Sequence, residues 1–141
     1  MAEIIYRYDG EISNTAFPAE IRWLDKSELS LFNEHLTLCG QRNLTESEWD
    51  EVCEEGTVYC CYFVDGIPVA RACVEKYSAD KWEVSDVRTA QPYRNKGYAY
   101  LLCRFVTDYI LSSGRTPTIR TEEDNLSMQK VIYRLGFTCE S

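Results

Sequence analysis

At 141 residues the chain has the size of one domain, and a domain of this length buries roughly two thirds of the surface that it exposes when unfolded. Its net charge of −8, with 45% hydrophobic and 27% charged residues, argues against a nucleic-acid partner, which needs a basic surface or stripe, and suits a cationic one. No apolar run reaches the ~20 residues that span a membrane, and Met1-Ala2-Glu3 lacks the basic start of a secretory signal, so the expected setting is cytoplasmic, with no membrane partner.

In chain order, Ile4 to Tyr8 reads as a short strand or packed arm, and Ala19 to Leu24 as a second strand with alternating apolar residues. Ser27 opens a helix with Leu29, Phe32 and Leu36 on one face, and His35 is expected on its surface. Thr45, with Glu48 three residues on, forms a capping box for a second helix that stops at Gly56. Thr57 to Val64 and Ile67 to Lys76 flank Asp65-Gly66, the composition of a two-residue hairpin turn, and a further turn at Ser78 to Lys81 completes a three-stranded meander. After a central helix closed by Ser113-Gly114, Thr116 to Thr121 reads as a strand, free to lie parallel to Trp82 to Thr89 because a helix intervenes. A last helix runs from Asn125 to Leu135 and ends at Gly136. Its stripe is Met128, Val131, Ile132 and Leu135, and the preceding Glu122, Glu123 and Asp124 complement its positive end or attract an amine.

The seven cysteines (Cys39, Cys53, Cys60, Cys61, Cys73, Cys103, Cys139) form no Cys-x-x-Cys pair and the single histidine is His35, so no metal site is expected. Most cysteines read as reduced, buried, small hydrophobes. A Cys-His nucleophile is conceivable only with His35, and no feature is read as bringing a cysteine to it.

The chain is organised around Trp82 to Leu111, where an extended run meets the turn Ala90 to Ala99 and then a helix whose Tyr98, Leu101, Leu102, Phe105 and Tyr109 share one buried face; Arg104 and Asp108 are expected to look outward. A helix begins with main-chain N–H groups that lack intrahelical partners and with the positive end of its dipole, so an anion is stabilised there. Arg94 and Lys96 add charge, Gly97 allows close approach, and Ala99 keeps the first turn free of bulk. Two readings fit: a steering turn with solvated charges, or a cradle for a phosphate or pyrophosphate. The nucleotide-binding P-loop and the Gly-x-Gly-x-x-Gly dinucleotide pattern are both absent.

Two motifs in this order, Arg94-Asn95-Lys96-Gly97-Tyr98-Ala99 opening the central helix and Asn125 followed eleven residues later by Gly136-Phe137, resemble the GNAT superfamily of acyl-CoA-dependent N-acyltransferases. The similarity runs from Trp82 to Phe137. It implies a single domain over residues 1–141, of α/β (α+β) class, with a mixed, mostly antiparallel sheet, about four helices and a splayed parallel strand pair. It also implies acetyl-CoA as cosubstrate, without metal. Val87, Arg88 and Thr89 would meet the pantetheine arm, Val87 and Thr89 through main-chain groups; Arg94, Asn95, Lys96, Gly97, Tyr98, Ala99 and Tyr100 would hold the pyrophosphate; Asn125 would approach the pantetheine or its thioester end. In that family an amine attacks the thioester directly, so no nucleophilic side chain is needed.

An amine with a pKa near ~10 must first lose a proton, to a carboxylate or a water chain. Glu83 and Asp86 are the candidates, expected on opposite strand faces because their spacing is odd. The resemblance places a tyrosine seven residues after Asn125 to protonate the departing thiolate, but this chain has Ile132 there. Tyr133 lies about 100° further round the helix, a candidate acid only if the helix is rotated; otherwise water serves. Past Gly136-Phe137 there is room for one short strand, so Ile4 to Tyr8 or a second copy is expected to complete the edge, the latter as a homodimer. The expected activity is transfer of acetyl to a small-molecule or peptide amine; the alternative is a non-catalytic acyl-CoA sensor of the same fold.

Overall fold

The computed structural model describes residues 2–140; Met1 and Ser141, the ends of the expected domain, lie outside them. The elements are β1 (Glu3–Arg7), β2 (Ile21–Trp23), α1 (Leu29–Leu38), α2 (Glu46–Glu54), β3 (Val58–Val64), β4 (Ile67–Glu75), β5 (Lys81–Thr89), α3 (Tyr98–Ser112), β6 (Thr116–Glu122), α4 (Leu126–Leu135) and β7 (Thr138–Cys139). One sheet takes the order β2-β3-β4-β5-β6-β1-β7, in which only β5 and β6 run parallel. This is the mixed, mostly antiparallel α/β fold with four helices that the motifs imply.

Local chemistry explains the punctuation. Asp65 and Gly66 both have left-handed φ values, 51° and 79°, which a two-residue turn of matching twist requires, so β3 and β4 pair as a hairpin. The Thr45 hydroxyl accepts from the Glu48 main-chain N–H at 3.2 Å while the Glu48 carboxylate accepts from that of Thr45 at 2.9 Å, closing the capping box of α2. Helix α4 ends on Gly136 at a φ of 94°.

The sheet is covered on both faces. Leu102, Val106 and Ile110 of α3 and Ile132 and Leu135 of α4 pack with Ala70, Ala72, Val74, Val84 and Ile119 on one side. Phe32 and Leu36 of α1 and Trp49 of α2 pack with Leu24 and Cys61 on the other. Strand β1 fills the edge left beside β6, pairing antiparallel from Glu3↔Glu122 to Arg7↔Thr118, and β7 then adds to β1. The parallel pairing of β5 with β6 spans only Lys81↔Thr116 to Val84↔Ile119; beyond it the strands part, which leaves the β6-facing edge of Ser85 to Thr89 unpaired.

Two burial expectations are overturned. Arg104 and Asp108 face inward, because the segment after β1 crosses that side of α3: Asp108 accepts from the Ser13 N–H at 3.1 Å and hydroxyl at 2.5 Å, and Phe17 meets Phe105 edge-on. Arg104 donates to the Leu135 carbonyl at 2.9 Å, with its guanidinium over the rings of Tyr8 and Tyr100. His35 is not on the surface of α1 but fully buried, donating from Nδ1 to the Pro68 carbonyl at 2.8 Å. Of the cysteines, Cys60, Cys61, Cys73 and Cys103 are buried, Cys39 and Cys53 half-buried and Cys139 exposed, all as free thiols.

Candidate active site

Where β5 leaves β6, a groove of about 770 Å³ opens between the β5 end, the loop before α3 and the start of α4. Val87, Arg88, Thr89, Arg94, Asn95, Gly97, Tyr98, Ala99, Tyr100 and Asn125 all line it. Lys96 belongs to the same loop but does not line the groove. The loop turns through a 3-10 segment, Gln91–Tyr93, then through two left-handed residues, Asn95 at φ 63° and Gly97 at φ 85°. Among the described residues, nothing accepts from the main-chain N–H groups of Asn95 to Tyr100; the first helical donation across this turn is Leu101 to Gly97. Six N–H donors without a protein acceptor thus lie at the positive end of a fifteen-residue helix, an arrangement that favours an anion. Arg94 is braced from Nε to the Thr89 carbonyl at 3.0 Å, and Tyr98 stacks on Tyr62 at 4.2 Å between ring centres, so loop and helix start are tied to the sheet.

Opposite, Asn125 caps α4: its side-chain oxygen accepts from the Met128 N–H at 3.1 Å. Its amide NH2 donates to no group among the described residues. The groove also takes Tyr93, Ser127, Met128, Lys130, Val131 and Arg134, none of which sequence reasoning assigns to the site, Met128 and Val131 reading there as core stripe. The available signal was Lys130 and Arg134 at i and i+4, a pair that shares one helix face. Arg134 lies over the Tyr100 ring at 4.2 Å and extends the basic wall away from the loop.

The two carboxylates share a face, contrary to the alternation argument. Between the pairs Arg71↔Arg88 and Cys73↔Ser85, the single β4 residue Ala72 is opposed by both Asp86 and Val87, a β-bulge, with Asp86 at a φ of 48°. The extra residue resets the alternation. Glu83 lies opposite Glu75, and Asp86 reaches Arg71 on that same side. Their surroundings differ. Both Asp86 oxygens are taken, Oδ1 by Arg71 Nη2 at 3.0 Å and Oδ2 by Arg71 Nε at 3.2 Å and the Tyr59 hydroxyl at 2.5 Å. Glu83 accepts from Arg120 Nε on Oε1 at 2.9 Å, and its other oxygen has no partner among the described residues. Burial raises the Glu83 pKa above the usual carboxylate value, partly offset by Arg120.

Tyr133 is not brought to this place: it is 84% exposed and lines a neighbouring apolar groove with Tyr6, Leu126 and Phe137, while Ile132 is buried in the core. The Cys-His pair that no sequence feature was read to form does meet. Cys39 Sγ lies 3.5 Å from Nε2 of His35, four residues earlier on the α1 face, a helical spacing that could have signalled it. Because Nδ1 donates to a carbonyl, Nε2 is the acceptor. Burial lowers the pKa of the imidazole and raises that of the thiol, so the proton stays on sulfur and the pair is not an activated nucleophile. No group of three or more His, Cys, Asp or Glu that could hold a metal occurs among the described residues, and none of their helices is long and apolar enough to cross a membrane.

Comparison with solved structures places this architecture among known ones. A putative GNAT acetyltransferase from Novosphingobium aromaticivorans superposes with a TM-score of 0.78 at 22% identity over 98% of this chain and 59% of its own. An acetyltransferase of the GNAT family from Colwellia psychrerythraea gives 0.77 at 19% identity over 97% of this chain and 52% of its own. The present chain thus spans little more than half the length of either. AAC(6')-Iy in complex with the bisubstrate analogue CoA-S-monomethyl-acetylneamine gives 0.69 at 18% identity over 84% of this chain and 89% of its own. Comparison with curated protein sequences finds no match. The model of the acetyltransferase (GNAT) family matches residues 19–137, which takes in the loop, the bulge and both groove walls, and the chain belongs to that family.

Proposed function

We propose that the chain is an N-acetyltransferase that transfers the acetyl group of acetyl-CoA to the amine of a small molecule or peptide by direct attack. The observation that carries this reading is the row of unpaired N–H groups from Asn95 to Tyr100 beside the splayed β5 edge. The loop would hold the pyrophosphate, with Arg94 and Lys96 adding positive charge, and the β5 edge at Val87 and Thr89, with Arg88 beside it, would run along the pantetheine. Asn125 would offer its free amide N–H to the thioester end, and Lys130 and Arg134 would serve the far, nucleotide end.

Glu83 is the proton acceptor in this proposal, because it keeps an unpaired oxygen and a raised pKa, whereas both oxygens of Asp86 are occupied. The cationic amine gives one proton to Glu83, its nitrogen bonds to the thioester carbon as the C–S bond breaks, and the second nitrogen proton leaves to water. Water protonates the thiolate, an undemanding step for a group with a pKa near ~8.5. Tyr133, the sequence-level candidate for that acid, is the group that the proposal can do without, given its exposure. The acceptor is taken to be a soluble cationic amine in the cytoplasm, in keeping with the net charge of −8 and with the analogue bound to the AAC(6')-Iy neighbour, and not a nucleic acid or membrane. Strand β1 fills the edge for which a second copy was the alternative, so a homodimer is not required to complete the sheet; it stays in the proposal only until a light-scattering mass of a single chain at micromolar concentration removes it.

Thiol release from acetyl-CoA, followed against a panel of polyamines, aminoglycosides and lysine peptides, tests the reading. Turnover with at least one amine, undiminished in Tyr133→Phe, is expected. Tight CoA binding without thiol release from any amine would favour the sensor alternative, for which the buried Ile132 in place of a phenol speaks.

A further inference from the structure

Asp86 is one of three non-glycine residues with positive φ among those described, and it is the one whose side chain is gripped by the protein. The Arg71 side chain is only 4% exposed and holds Asp86 with two nitrogens, a planar fork that lysine cannot reproduce. Its third nitrogen donates to Gln41 Oε1 at 2.7 Å, which anchors the guanidinium to the α1–α2 connection. Tyr59 completes the grip, its ring against Phe32 of α1 at 4.5 Å and its hydroxyl on Asp86 Oδ2. Residues from β3 and β4, each backed by the helical layer, thus converge on one carboxylate at the bulge.

A bulge bends its strand and increases the local twist. Here it falls two residues beyond Val84, the last residue of β5 that pairs with β6. The bend and the parting of the strands therefore coincide. In a turn, as at Asp65, aspartate adopts this conformation readily; inside a strand it is sustained by its surroundings, and here the Arg71 fork supplies that hold.

We propose that Arg71, assisted by Tyr59, is a positioning residue for acetyl transfer: by holding Asp86 it keeps the β5 bulge in place, and so fixes the main-chain edge of Asp86 to Arg88, short of the Thr89 carbonyl that Arg94 holds, against which the thioester lies. This rests on the acetyl-CoA reading above. It gives Asp86 a conformational role rather than that of the base, and it accounts for a buried arginine that does not line the groove. No bond is made or broken by Arg71 itself.

The test uses acetyl-CoA labelled with carbon-13 at the carbonyl, whose resonance in the bound state reports the polarity around the thioester and needs no acceptor. In the wild-type chain the bound signal is expected to be a single line shifted from that of free acetyl-CoA. In Arg71→Lys and Arg71→Met the line is expected to broaden or return toward the free position, while CoA affinity by titration stays within about threefold. Tyr59→Phe, which removes one hydrogen bond and keeps the ring, is expected to give an intermediate shift; it keeps the test valid if the Arg71 variants do not fold. A wild-type carbonyl shift retained in folded Arg71→Lys, or in Tyr59→Phe where the Arg71 variants do not fold, overturns the positioning role. Absence of acetyl-CoA binding by the wild-type chain overturns the underlying reading instead, so the two failures are distinguishable.

Discussion

Gly97→Glu is expected to abolish CoA binding. Gly97 has a φ of 85°, and a left-handed conformation costs a residue with a Cβ about 1–2 kcal/mol. A carboxylate there would also stand beside the diphosphate of the proposed CoA: at about 5 Å and an effective dielectric near 20, each pair of unit charges repels by about 3 kcal/mol. Together these exceed the ~2.7 kcal/mol that a hundredfold loss of affinity represents. Space around a Cβ at Gly97 is empty, so Gly97→Ala meets no clash and should lose only about tenfold. Isothermal titration with CoA separates the two effects, and an unchanged affinity for the glutamate variant refutes the cradle.

The second large effect is expected at Glu83. If its unpaired oxygen takes the amine proton, Glu83→Gln should lower kcat by about 10²- to 10⁴-fold, the usual worth of a positioned base, and leave CoA affinity unchanged. The pH profile carries a sign. A base must be ionised to act, so kcat/KM rises with pH through the pKa of Glu83, and burial puts that limb above the ordinary carboxylate range. The limb should vanish in Glu83→Gln, measured with whichever amine turns over in the thiol-release panel. A variant that keeps both rate and profile would assign deprotonation to a water chain. Asp86→Asn should not reproduce the loss of the limb, because both Asp86 oxygens are already engaged.

These expectations rest on features of unequal visibility in the sequence. The capping box at Thr45, the Asp65-Gly66 hairpin and the loop opening α3 are written in neighbouring residues, and local chemistry decides them. The bulge is not, because it arises from the register of β5 against β4, and one uncounted residue was enough to reverse the face assigned to Asp86 relative to Glu83. Arg104 and Asp108 read as outward for a related reason: helical periodicity marks the face toward the sheet but is blind to distant segments laid over a second face, here Ser13 to Phe17 at Asp108, and Tyr8 with the end of α4 at Arg104. Apolar patterning marks His35 as polar, and only the Pro68 carbonyl, contributed from another element, makes its burial affordable. The groove wall on α4 was half legible. Asn125 belongs to a motif, whereas Lys130 and Arg134 look like ordinary helix charges until α3 is placed opposite them.

The central claim concerns the N–H groups of Asn95 to Tyr100, and the most direct measurement is a nitrogen-15 amide spectrum of the full chain titrated with CoA and, separately, with dephosphorylated pantetheine. The account predicts that CoA shifts these six amide resonances more than those elsewhere in the chain, and that pantetheine, lacking the diphosphate, leaves them in place while moving those of Val87 to Thr89. Loop amides that stay unmoved at saturating CoA would contradict it.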